Sequence, residues 1–315
     1  MANATVTSTY VGQLALPCVA PAILAADSIA NGYVATRQNV RYKAVLRKVS
    51  GVAIQDADCA FGTPSSGQLV ISDVVLTTAQ LKVNEQICNN ELREAWESEM
   101  MRGASSAAPG ELTNYVAQWM AARVAASVEQ NIWQGNFLYT TGATTGGSFL
   151  AFSGILAAIV AGTPSNEITY AGATVKGTTA VTGCLTRLAA AVADIPDAII
   201  GDYENTKIFV SRKFFALYME SLAGTLHHPF LAADKPAQYL GYDVLVPAGF
   251  PDDTILICRV DNNVFGTDLL TDMTKATFLN MLGQTGEDST RGIMQFAAGA
   301  QVIDLDSLQV SRRSS

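Results

Sequence analysis

Two β-prone segments joined by turn chemistry, with a long amphipathic helix shortly after them, constrain this chain more than any other feature. Arg41 to Ile54 (RYKAVLRKVSGVAI) and Leu69 to Val83 (LVISDVVLTTAQLKV) are rich in β-branched residues, and Gly62-Thr63-Pro64-Ser65-Ser66-Gly67 supplies the turn. Arms of about 14 residues at ~3.3 Å per residue extend a ribbon to roughly 45 Å. A free ribbon of that length is marginal in water and needs something to lie on. Arg41, Lys43, Arg47 and Lys48 fall on both faces of a period-2 strand, which a buried strand would not tolerate. The ribbon is therefore expected to be exposed and to reach another subunit. Two ordinary strands inside a sheet remain the alternative.

After the ribbon, Asn89-Asn90 can cap a short helix from Glu91 to Met101, with carboxylates in its first turn where the helix dipole favours them. Glu91, Glu94, Glu97 and Glu99 are too many acids on one short helix for a tuned acid/base pair. They read as a contact surface, expected to meet the basic stem Arg41, Lys43, Arg47 and Lys48 within a subunit or across a subunit boundary. Pro109-Gly110 then breaks the chain, and Leu112, Tyr115, Val116, Trp119, Met120, Val124, Val128, Ile132 and Trp133 recur at steps of three and four. This spacing predicts a helix over 111–134, stopped by Gly135. At 1.5 Å per residue it spans roughly 36 Å, a strut across a domain.

Downstream, Thr140 to Gly147 (TTGATTGG) has linker composition, and from about Phe149 to Val260 helix and strand patterns alternate. Thr182 to Ala193 reads as an amphipathic helix stopped by Ile195-Pro196, and Lys207 to Val210 as a short buried strand. Ser211 caps a helix through Leu222 closed by Gly224, with strands following at Tyr242 to Val246 and Thr254 to Val260. Lys275 to Leu282 and Arg291 to Ile303 are strand-like and are expected to return beside the strut.

Composition excludes some function classes. Twenty Lys and Arg against 28 Asp and Glu give a net charge of −8, which does not suit electrostatic grip on nucleic acid. A hydrophobic fraction of 49% with only 15% charged residues excludes a disordered chain and fits a subunit that hides surface in its neighbours. Cys18, Cys59, Cys88, Cys184 and Cys258 are widely spaced, with no C-x-x-C, and read as reduced packing residues. No Lys or Arg precedes Arg37, so the positive region of a secretory signal is missing and residues 1–36 read as an extended arm. No apolar run reaches the ~18 to 20 residues of a spanning helix, and no membrane association is expected.

Catalytic constellations are poor. No nucleotide-binding glycine motif, zinc-protease motif or nucleophile elbow occurs. His227-His228 are adjacent and point apart on any regular element, so they read as a loop pair; Asp56, Asp58, Asp252 and Asp253 read as solvated loop carboxylates. No catalytic residue, metal site or cofactor is expected, and the chain is not read as an enzyme.

The order of extended arm, long hairpin, strut ending in Ile132-Trp133-Gln134-Gly135-Asn136, and an α/β unit closing on a long strand resembles the major capsid protein of tailed bacteriophages, the α+β Hong Kong 97-type fold. Gly241-Tyr-Asp-Val-Leu-Val-Pro247, Asn263-Val-Phe-Gly-Thr-Asp268 and Thr290 to Ile303 match in pattern and order. The resemblance implies an N-arm at 1–40, an E-loop hairpin at 41–88, P-domain helices with the spine helix at 89–147, an A-domain at 148–262, and P-domain return strands with the C-terminus at 263–315. The loop from Leu226 to Pro236 would then surround a symmetry axis. The same resemblance implies self-assembly through pentamers and hexamers into an icosahedral virion shell, formed in the host cytoplasm. Its expected partners are a separate scaffolding protein or none, portal and decoration proteins, and packaged double-stranded DNA touched without sequence preference. An encapsulin-type nanocompartment shell is the nearest alternative, and a soluble α/β enzyme a more distant one.

Overall fold

The computed structural model describes residues 26–50, 70–88, 109–136, 151–177, 183–225, 237–268, 276–281, 285–287 and 289–313. The first part of the arm, the ribbon tip with its Gly62–Gly67 turn, the acidic helix, the 140–147 linker, the 226–236 loop with both histidines, Asp56, Asp58, Cys18 and Cys59 lie outside those residues. In chain order the elements are α1 (Asp27–Ala30), β1 (Ala35–Arg37), β2 (Lys43–Ser50), β3 (Val70–Thr77), β4 (Ala79–Cys88) and α2 (Pro109–Gln134). Then come α3 (Ile155–Gly162), β5 (Glu167–Tyr170), α4 (Cys184–Ala193), β6 (Thr206–Val210) and α5 (Arg212–Thr225). The chain continues through β7 (Gln238–Tyr239), β8 (Tyr242–Leu245), β9 (Ile255–Arg259), β10 (Asn263–Thr267), β11 (Ala276–Asn280), β12 (Ser289–Val302) and β13 (Leu308–Arg313).

Two sheets and one ribbon result. In the first sheet the long strand β12 pairs antiparallel with β4 along Ser289 to Ala298, with β11 on its other edge, and with β10, which carries β1 in parallel. The second sheet runs β5-β13-β9-β6-β8-β7. Among the described residues the ribbon is β2 paired with β3 alone. Strand β13, which the sequence grouped with the return strands over 263–315, sits in the second sheet between β5 and β9.

At the centre of the second sheet, strands β6 and β9 are buried on both faces, as their near-continuous apolar runs require. Side chains alternate across the sheet. Ile208, Val210, Ile255 and Ile257 face Leu188 of α4 and Phe214 and Tyr218 of α5, while Phe209, Leu256 and Cys258 face the core shared with α2. Ser211 caps α5 as expected, its hydroxyl accepting from the Phe214 N–H at 3.1 Å. Arg187 of α4 is buried, donates to the Asp253 carbonyl at 2.7 Å and lies 4.8 Å from the Tyr170 ring. Desolvation lowers its guanidinium from the ordinary value, opposed by the Asp253 charge.

The strut α2 lays Met120, Val124, Val128, Ile132 and Trp133 into the core between the sheets. It starts at Pro109, two residues before the expected start, because the first turn of a helix has no use for the N–H that proline lacks. Its end also differs from expectation. The left-handed residue is Asn136 (φ 54°), whereas Gly135 is required by close approach, since a Cβ there would stand 2.2 Å from the Phe152 carbonyl oxygen.

The cysteines divide. Cys184 and Cys258 are buried packing residues, the Cys258 thiol being pushed up to about 12 by burial, but Cys88 is exposed at the end of β4, contrary to the packing role read from the sequence.

Candidate assembly surface

The ribbon holds eight cross-strand pairs, from Lys43 opposite Thr77 to Ser50 opposite Val70. Period-2 alternation gives it two faces of different character. On the inner face Leu46 and Leu76, 1% and 0% exposed, pack with Val40 and Val264 over the first sheet. The sheet admits them because Gly266 and Gly299 are register partners there. A Cβ on Gly299 would meet the Thr77 carbonyl oxygen at 2.3 Å, and one on Gly266 the Leu76 side chain at 2.7 Å. On the outer face Val45, Val49, Ile71 and Val75 are 52%, 58%, 59% and 44% exposed. Exposure on both faces, read from the basic residues, is therefore corrected: one face is a root in the subunit, and the other is open. The second arm also does not run unbroken from Leu69 to Val83. At Thr78, whose N–H donates to the Tyr42 carbonyl at 3.0 Å, the strand leaves the ribbon and enters the first sheet as β4.

The basic stem separates in the same way. Lys48 is on the inner face and reaches the turn between β12 and β13, with Nζ 2.5 Å from Asp304 Oδ1 and 3.3 Å from Asp306 Oδ2. Arg47 is on the outer face beside Asp73 at 3.5 Å, both well exposed. Lys43 is outer and lies 5.2 Å from the Tyr42 ring, and Arg41 precedes the ribbon with an exposed side chain. Glu91, Glu94, Glu97 and Glu99 lie outside the described residues; Lys43 and Arg47 share the outer face, and Lys48 goes to carboxylates of its own chain. Asp252 and Asp253 are engaged as well. Asp252 takes Lys213 at 2.6 Å, and Asp253 accepts the Thr174 N–H at 2.9 Å and stands 3.9 Å from both Arg187 and Arg313.

The Lys48–Asp304 pair holds the ribbon down. Burial opposes both charges, yet the hydrogen bonds from Lys48 and from the Asp306 N–H keep the Asp304 carboxyl below its ordinary value. Against the same opposition, Asp304 and Asp306 keep the Lys48 ammonium above its own. A depressed carboxyl contributes stability above its unfolded pKa and loses it as pH falls through the folded one; a raised lysine loses its share only as pH rises past its folded value. Lys48→Met should therefore cost about 1 kcal/mol at neutral pH and nothing in strong acid, where Asp304 is protonated in wild type as well. Urea unfolding of both proteins at the two pH values measures the difference.

Sequence reasoning missed one residue. Glu129, 3% exposed on the apolar face of the strut, accepts the Ser28 N–H at 2.8 Å, the Ser28 hydroxyl at 2.6 Å, Trp133 Nε1–H at 3.2 Å and the Gly249 N–H at 3.4 Å. A lone acid inside an apolar stripe, four residues before a tryptophan, was the available signal.

No family model and no curated protein matches this chain. Solved structures do. A structure of the satellite phage P4 procapsid including the size determination (Sid) protein matches with a TM-score of 0.64 at 11% identity, over 93% of this chain and 89% of that one. The capsid of cyanophage A-1(L) matches at 0.57 and 13% identity over 90% and 91%. The capsid of an empty GTA particle, computed with C5 symmetry, matches at 0.53 and 13% identity over 92% and 97%. The chain thus has the fold of phage capsid subunits, the Hong Kong 97 type that its sequence resembles.

Proposed function

We propose that this chain is the major capsid protein of a tailed double-stranded DNA phage, assembling through pentamers and hexamers into an icosahedral shell around the genome. The observation that carries this reading is the capsid fold extending along nearly the whole chain. A ribbon with an unburied apolar face adds to it, since such a surface suits an assembly better than a monomer. A net charge of −8 fits a shell that contains DNA without gripping it. Closed symmetry lets one sequence tile the shell through repeated contacts. The ribbon would be the E-loop, α2 the spine helix of the P-domain, and the second sheet with α4 and α5 the A-domain. A separate scaffolding protein or none would assist assembly in the host cytoplasm, with portal and decoration proteins as partners.

Electron microscopy and sedimentation of the purified protein test this. Rings of five and six, or closed particles, are expected. A stable monomer across a wide concentration range, with and without scaffold, overturns the reading.

A further inference from the structure

We draw no further inference here: the strongest candidate, the exposed apolar patch that Ile200, Tyr203 and Leu240 form on two turns at the β7 edge of the second sheet, with Leu240 held in a left-handed conformation (φ 49°) and Tyr203 lying against Gly241, carries nothing because nothing in the structure shows what covers it.

Discussion

Removing the ribbon beyond Lys48 should abolish assembly while leaving the subunit folded. Lys48 and Ser72 are register partners, so an Asn-Gly turn can replace residues 49–71 and close the shortened hairpin without strain. What remains keeps Leu46 and Leu76 in their cluster with Val40 and Val264, and keeps Lys48 on Asp304. What leaves is Val49 and Ile71, half of the exposed apolar quartet, together with the ribbon end that could reach past the subunit. Far-ultraviolet circular dichroism and the thermal midpoint should change little. Particles should vanish from electron micrographs and sedimentation profiles. An unfolded or insoluble product would mean that residues 49–71 belong to the subunit core. Cutting back to include Leu46 and Leu76 should give a different result: each buried leucine lost costs about 2 to 5 kcal/mol, so that variant fails as a folded chain.

How legible each element was depended on whether its cause is local. The strut could be read because its apolar period continues for many residues, and α5 because Ser211 sits immediately before an apolar run. Strands β6 and β9 were visible as short apolar runs whose burial on both faces leaves no polar alternation. What escaped depends on neighbours distant in sequence. Thr77, Thr78 and Ala79 carry no break signal, and the strand divides there because β12 claims β4 and leaves β3 to the ribbon. Gly135 looked like a helix stop, but its cause is the backbone of Phe152 and Gly154 pressed against it. Lys48 and Arg47 are adjacent in sequence and fall on opposite faces of the ribbon, and the carboxylates that hold Lys48, Asp304 and Asp306, lie far along the chain. The acidic turn Asp304-Leu-Asp306 gives no hint in isolation that a lysine will reach it.

Glu129→Leu should be the most destabilising single substitution among these polar sites, by about 3 to 5 kcal/mol. The carboxylate gathers four donors from three segments: the Ser28 N–H and hydroxyl from α1, the Trp133 indole from the strut, and the Gly249 N–H from the turn after β8. Leucine fills similar volume but accepts nothing, so buried donors lose their acceptor, each costing about 1 to 3 kcal/mol. Trp133 retains the Ser28 hydroxyl at 2.7 Å and its ring contacts with Phe209 and Phe250, which limits the loss at that donor. Ser28→Ala removes a single hydroxyl and should cost less, about 1 to 2 kcal/mol. Glu129→Gln keeps one acceptor oxygen but turns an NH2 group towards other donors, and should fall between the two. Measurement belongs in the ribbon-shortened chain, because subunit contacts would otherwise add to the apparent stability. Urea titrations should then order the variants Ser28→Ala, Glu129→Gln, Glu129→Leu by falling midpoint. If Glu129→Leu matches the parent, burial of the apolar side chain compensates fully, and the carboxylate does not hold the three segments together.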